Sequence, residues 1–286
     1  MKVISVKRKF KAALVQMKSS TDKEHNLAYS VKLINEAAKK KARIICFPEF
    51  QMAYSPPEQK LESLHKISEK ISGNFVSMLS DSAKQNKINV VATIYENTNT
   101  NDKNHKVFDT GLIINELGKL QSIYRKVHLY DALGFKESKK LLAGSTIEKP
   151  TKTSVGNLGL LICYDMRFPE ISRILTVNGA NVLVSPSAWV AGFMKKEHWE
   201  IMVRARAIEN GVYVLAPNQV GNIYCGHSMV VDPFGATIVD MGNREGIEFV
   251  DIDSSKIDTT RRTLPLLMNR RTDVYRNYVD VFGSKL

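Results

Sequence analysis

Cysteine is scarce in this chain: three residues in 286, Cys46, Cys163 and Cys225, an odd number at irregular spacing. That excludes a disulfide framework, and the lack of any CxxC pair or paired Cys/His spacing argues against structural zinc. A reducing, intracellular setting is expected. Long apolar runs are missing too. No stretch approaches the ~18 apolar residues of a membrane span. The apolar run after Lys11 in "MKVISVKRKFKAALVQM" is only four residues, too short for a signal-peptide core. The expectation is a soluble, cytoplasmic protein with no membrane partner. Acidic residues are in deficit, 29 against 41 Lys and Arg, for a net charge of +12. The lysines scatter through "AAKKKAR", "ESKKLL" and "FMKKEH" without a nucleic-acid signature. A non-catalytic, basic nucleic-acid-binding protein is the alternative this charge raises; solvated helix faces are the preferred reading.

What is present is a large apolar fraction, 43% of the chain, enough for a sizeable α/β core. "FKAALVQM" reads as a strand. A helix with Asp22 as its cap follows, with Leu27, Val31, Ile34 and Ala38 at helical spacing. "RIICFPE" is a short buried strand. Helical spacing runs from Glu58 to Asn86 with a break near Ser72, Gly73 and Asn74, and "INVVATIYE" is the next strand. "VFDTGLIINELGKLQSIYRKVHL" is two strands around a turn at Asn115 to Gly118. After Pro150 the order repeats. "LGLLICYD" is a strand, followed by a helix with Pro169 in its first turn and Gly179 past its end. Then come "NVLVSPS", the helix "KKEHWEIMVRARAIEN", the strand "VYVLAPNQV", a hairpin turning at Asp232 to Gly235, and "IEFVDID". Two similar halves of one domain are expected. The tail "TRRTLPLLMNRRTDVYRNYVDVF" carries Leu264, Leu266, Leu267 and Tyr275, apolar residues that its own domain or a second subunit has to cover.

Three polar residues fall where strands end: Glu49 after "IICFP", Lys126 late in "LQSIYRKVHL", and Cys163 after "GLLI". Ligand sites in open α/β sheets gather beyond strand ends. A thiol is mostly protonated at neutral pH, so a nucleophilic cysteine needs a base and gains from a cation beside it. A carboxylate and a lysine supply both, and the lysine also holds negative charge developing on a carbonyl. Each residue has a plainer reading as well: a helix-entry charge, a surface lysine, a core thiol. Spacing alone leaves these open.

"FPE" at 47–49, "YRKVHL" at 124–129 and "CYDMRFPE" at 163–170 resemble, in order, the three catalytic blocks of the nitrilase (carbon–nitrogen hydrolase) superfamily. "HWEIMVRARAIEN" at 198–210, "GHSMVVDPFG" at 226–235 and "RRTDVY" at 270–275 extend the resemblance over nearly the whole chain. It implies one carbon–nitrogen hydrolase domain over 1–286 with an α-β-β-α four-layer sandwich fold. The arm from about 253 to 286 would pack on a neighbouring subunit of a homodimer or larger homo-oligomer, with the helices after Cys163 and over 198–210 in the interface. It further implies Glu49 as general base, Cys163 as nucleophile, Lys126 as oxyanion stabiliser, and Glu137 as a second glutamate orienting Lys126 or assisting proton transfer. The Tyr164 N–H would be an oxyanion donor, and no metal or organic cofactor is required. Arg204, Arg206 and Glu209 read as a structural charge network, His198 and Trp199 as packing. The blocks look most like the amidase-like Nit branch, which includes omega-amidase and deaminated glutathione amidase and acts on small carboxylated amides. Tyr54, Tyr164, Arg167 and Trp189 are the candidate substrate-binding residues, and Trp189 and Phe193 belong to a pocket-shaping stretch, "SPSAWVAGFMKKEHWE". That stretch departs from the small, Gly-rich "TGPAHW" type. A nitrilase or an N-carbamoyl hydrolase would use the same triad.

Overall fold

The computed structural model describes residues 9–97 and 105–275. The first eight residues of the basic start and residues 276–286 of the tail lie outside the described residues.

β1 (Lys9–Gln16) leads into α1 (Lys23–Lys39), whose cap is Asp22 as expected. The Asp22 carboxylate accepts from the N–H groups of Glu24 and His25, donors that a first helical turn leaves without partners. α1 buries Leu27 and Ile34, but with Asn26, Ser30, Leu33 and Ala37. The buried face is therefore rotated, and Val31 and Ala38 sit at its margin. β2 (Ile44–Cys46), α2 (Leu61–Ile67), α3 (Asn74–Asn86) and β3 (Asn89–Glu96) follow. The break between α2 and α3 is longer than expected because Glu69 leaves the helix. Its N–H bonds Tyr95 O at 3.0 Å, and its carboxylate accepts from Phe75 N–H at 2.8 Å. β4 (Val107–Ile114) and β5 (Leu120–Arg125) join at the expected turn, where Gly118 has φ +72°, a conformation that favours glycine. β6 (Leu141–Leu142) lies beside β4.

The second half runs β7 (Thr151–Thr153), β8 (Gly156–Leu160), a 3-10 turn over Cys163–Arg167, α4 (Pro169–Val177), β9 (Val182–Val184) and α5 (Lys195–Asn210). Next are β10 (Tyr213–Ala216), β11 (Val220–Gly221), β12 (Tyr224–Cys225), β13 (Met229–Val231), β14 (Thr237–Asp240) and β15 (Gly246–Asp253). α6 (Ser255–Thr263) and α7 (Thr272–Tyr275) close the described chain. Pro169 opens α4, and Gly179 has φ +102° just past its end.

One sheet has the order β15-β1-β2-β3-β4-β5 and the other β14-β13-β10-β9-β8-β7. Each has three central parallel strands, β1–β2–β3 and β8–β9–β10, extended by antiparallel ones. The two halves are thus alike in architecture, and the expected final strand "IEFVDID" is β15, which crosses over to pair with β1 of the first sheet. Alternation gives a strand's two faces but not its neighbour.

Successive residues of β1 point to opposite layers. Phe10, Ala12 and Leu14 join the core between the sheets, shared with β8, β9, β10 and β13. Ala13 and Val15 join the core under α1 and α3. With α4 and α5 covering the second sheet, the result is a four-layer α-β-β-α sandwich. α6 buries Ile257 and Thr260 on its own chain, and Arg261 donates to the carbonyls of Gly211 and Ala180. Beyond α6, Leu264, Met268 and Tyr275 are exposed. No helix among the described residues is long and apolar enough to cross a membrane. Leu160 packs where the sheets come close, beside Gly111, at which an added Cβ would sit 3.0 Å from Leu160 Cδ2. Leu160→Ala should cost about 2–5 kcal/mol in urea denaturation, and Asp22→Ala about 1 kcal/mol.

Candidate active site

The strand ends of both sheets converge. β2 ends at Cys46, and the "FPE" turn after it is fixed on every side. Phe47 N–H bonds Val91 O (2.9 Å), Thr93 Oγ1 donates to Pro48 O (3.0 Å), and Gln219 Nε2 donates to Glu49 O (2.9 Å). β5 ends at Arg125, and Lys126 N–H then bonds Asp109 O (2.9 Å). β8 ends at Leu160, earlier than the sequence implied, so Cys163 sits in the following turn rather than on the strand.

That turn holds Cys163 at φ +44°, a left-handed conformation that costs a residue with a side chain about 1–3 kcal/mol. The surrounding bonds over-determine it. Cys163 N–H donates to Pro186 O (2.9 Å). The buried Asp165 carboxylate accepts from Ile162 N–H (2.9 Å), Tyr124 Oη (2.7 Å) and His128 N–H (3.0 Å). Asp165 therefore ties the cysteine turn to the strand that delivers Lys126. Arg206 Nε, from α5, donates to Met166 O (2.9 Å) and Arg206 pairs with Glu209 at 3.1 Å, the structural network read from the sequence. Arg204 Nε binds Gly235 O at the β13–β14 turn.

Lys126 Nζ has no exposed surface and lies 2.7 Å from Glu49 Oε1 and 2.8 Å from Glu137 Oε2. Glu137 Oε2 also accepts from Tyr130 N–H at 2.7 Å. The two carboxylates keep Lys126 charged, well above the ordinary lysine range, against the opposing effect of burial. Cys163 is 7% exposed. Burial first, and then the Glu49 charge, push its thiol well up; Lys126 and a hydrogen bond from the Ala188 backbone pull it back. The resting sulfur is therefore a thiol with a carboxylate and an ammonium nearby. Such a set can pass the thiol proton to a base only as attack occurs. Cys46 is fully buried in the core and its thiol is pushed up by burial alone. Cys225, half-buried, is pushed up to about 11.

A cavity of about 360 Å³ opens over Cys163 and reaches Glu137, Tyr164, Arg167 and Trp189. Glu49 and Lys126 lie beneath its floor, fully buried. Tyr164 lies in the first turn of the 3-10 segment and lines the cavity beside Cys163. Two expectations need correction. Tyr54 is not among the residues lining the cavity: it packs edge-on against Tyr224, with ring centroids 6.0 Å apart. Phe193 points to solvent, 94% exposed. Trp199 packs as read, with Nε1 on His227 O, while His198 Nδ1 sits 3.4 Å from Arg167 Nη2.

The sequence reading missed Lys195. Its side chain is buried at the start of α5, with Nζ on Tyr130 Oη, 4.5 Å from the Tyr130 ring centroid and 5.9 Å from that of Trp189. Burial, and then Arg167, push Lys195 below the ordinary lysine range. The Arg167 guanidinium lies 4.6 Å from the Trp189 centroid. Neither cation has a carboxylate within 4 Å among the described residues. The other missed residue is Asp109, a lone acid within the apolar strand "VFDTGLII" and buried next to this cluster. No group of three or more His, Cys, Asp or Glu among the described residues is placed to hold a metal ion.

A raised thiol gains reactivity as pH climbs toward its folded value and has no plateau of preformed thiolate below it. Alkylation of Cys163 by iodoacetamide should therefore keep accelerating past about pH 9, beyond the free-cysteine range. Rate constants from peptide mass spectrometry check this, and a plateau below about pH 7 would contradict it.

The Carbon-nitrogen hydrolase family pattern matches residues 11–262. Bovine deaminated glutathione amidase is 34% identical over 277 residues, covering 93% of this chain and 83% of its own. The omega-amidase of Saccharomyces cerevisiae is 37% identical over 287 residues, covering 94% and 95%. Among solved structures, the Caenorhabditis elegans NitFhit protein superposes with a TM-score of 0.85 at 31% identity, over 94% of this chain and 67% of that one. A Saccharomyces cerevisiae member of the nitrilase superfamily gives 0.81 at 33%, over 93% and 99%. With its blocks in order, its sandwich fold and this match, the chain belongs to the carbon–nitrogen hydrolase family and is an enzyme of that class.

Proposed function

We propose that the protein hydrolyses the amide of a small, carboxylated molecule to the acid and ammonia through a thioester on Cys163. The amide carbonyl enters above Cys163. As the sulfur attacks, its proton passes to Glu49, and the carbonyl oxygen becomes an oxyanion between the Lys126 ammonium and the Tyr164 N–H. A preorganised donor of this kind is typically worth ~10²–10³ in rate. The intermediate collapses, the C–N bond breaks, and Glu49 returns the proton to the departing ammonia. Water then gives a proton to Glu49 and attacks the thioester. The acid leaves, and the proton returns to Cys163. Glu137 holds Lys126 from the pocket side.

The observation that carries the substrate class is the pair of cations, Lys195 and Arg167, lining the cavity with no carboxylate within 4 Å among the described residues. A buried cation without a counter-ion is costly, and a substrate carboxylate supplies one. The names of the two relatives, a deaminated glutathione amidase and an omega-amidase, agree with an amide substrate. A nitrile or an N-carbamoyl compound would meet the same thiol, and the amide is preferred on those relatives. A homodimer fits the apolar residues exposed on α4 and α5 and at the β13–β14 hairpin, including Ile174, Val177, Ile201 and Phe234. A cytoplasmic setting fits a thiol nucleophile and three free cysteines.

Ammonia release, assayed over carboxylated amides, neutral amides, nitriles and N-carbamoyl compounds, tests this reading. Carboxylated amides should be turned over best, and Cys163→Ala should abolish release. Lys195→Met should raise KM for the carboxylated amide about 10-fold or more, as loss of a charge-assisted contact does, and leave neutral amides unchanged. Full turnover by Cys163→Ala overturns the mechanism, and equal effects of Lys195→Met on charged and neutral amides overturn the substrate class.

A further inference from the structure

Three carboxyl groups, not two, surround Lys126. Its ammonium bonds Glu49 Oε1 and Glu137, and among the described residues no donor reaches Asp109: both Asp109 oxygens are buried without a partner, and so is Glu49 Oε2. Asp109 stands on β4 opposite Tyr95, its own carbonyl takes the Lys126 N–H at 2.9 Å, and its buried carboxyl faces Glu49. Two ionised carboxylates cannot bond each other, because both only accept. One proton between them gives both Glu49 Oε2 and one Asp109 oxygen a partner.

We propose that Asp109 is a neutral carboxylic acid whose O–H donates to Glu49 Oε2, making it a positioning residue for the general base. The proposal rests on the amidase reading for Glu49's role. Asp109 is the member that keeps the proton because it alone lacks a donor. Glu49 has the Lys126 ammonium, and Glu137 has that ammonium and the Tyr130 N–H. Full ionisation of all three would place two uncompensated negative charges around one ammonium, in a site where burial makes each expensive. The groups facing Asp109 are Glu49, Lys126 and Glu137, with the Tyr95 phenol across the strand pair. Burial, and then the Glu49 charge, push the Asp109 carboxyl well above the ordinary carboxylate range, with Lys126 opposing.

The consequence is a base held without added charge. A carboxylate oxygen has two acceptor sites, so Oε2 takes the Asp109 O–H and still has room for the thiol proton. A neutral Asp109 also spares Cys163 a further negative neighbour, which would make the thiol harder to ionise.

Asp109→Asn keeps an N–H donor toward Glu49 without a charge, and Asp109→Leu removes the donor at similar size. The proposal expects the Asn variant to keep kcat within about threefold and to reproduce the wild-type pH–rate profile. The Leu variant should lose about 10-fold or more in kcat with KM little changed, as expected when an orphaned buried acceptor is left behind. An infrared difference spectrum of wild type minus the Asn variant should show the C=O band of a protonated carboxyl at neutral pH. That readout needs no turnover, so it separates this proposal from the amidase reading. An inactive protein that shows the band sinks only the latter. Absence of the band overturns the proposal, and so does an acidic limb displaced to lower pH in the Asn variant, since either means that Asp109 is ionised. If the Leu variant fails to fold, the Asn profile and the band still decide.

Discussion

A lysine ammonium with no exposed surface has to be neutralised where it stands. Lys126 meets that condition through Glu49 at 2.7 Å and Glu137 at 2.8 Å, and breaking such a buried pair typically costs about 3–5 kcal/mol. The three residues come from the ends of two strands of one sheet and from the loop after them, so the ion cluster and the sheet order require each other. The sandwich then brings the second sheet's strand end, with Cys163, over the same point. Asp165 fastens the two sides by accepting from Tyr124 on β5, from the His128 N–H and from the cysteine turn itself.

This arrangement gives a proton to every group in a definite order. The thiol keeps its proton at rest because it is buried beside Glu49. The ammonium keeps its charge because two carboxylates face it. In the proposed reaction the cluster's total charge stays constant through attack: Glu49 gains the proton that Cys163 loses, and the new negative charge appears on the substrate oxygen next to Lys126. Charge moves over a short distance inside a site already polarised for it, the condition under which fixed donors contribute most. Above this floor, in the proposed reaction, Arg167 and Lys195 are the cations that meet the carboxylate of the substrate, leaving its amide carbonyl at the sulfur.

Much of this was legible in the sequence, for identifiable reasons. Glu49, Lys126 and Cys163 each follow a strand, and each lies in a block with a fixed neighbour pattern, so position and chemistry agreed. Helix α1 was legible from Asp22 and from its apolar spacing, though its buried face turned out to be centred on Leu33 and Ala37 as well. Lys195 was not legible. Among scattered lysines, one buried by Tyr130 and Trp189 looks like any other until tertiary contacts enclose it. Tyr54 differs for the converse reason: its neighbour Ser55 lines the cavity, while its own ring packs edge-on against Tyr224. The pairing of β15 with β1 was hidden because alternation reveals a strand's faces and not its neighbour. Asp109 was visible as a single acid in an apolar strand, a signal whose meaning depends on where Glu49 ends up.

The central claim is that the carbonyl carbon is held on Cys163 after ammonia has left. Turnover of a carboxylated amide in the presence of hydroxylamine measures it directly. A thioester divides between water and the added nucleophile, so the hydroxamate should appear at the expense of the acid while early ammonia release keeps its rate. Acid as the sole product at every hydroxylamine concentration would contradict the claim, because water would then be attacking the amide itself.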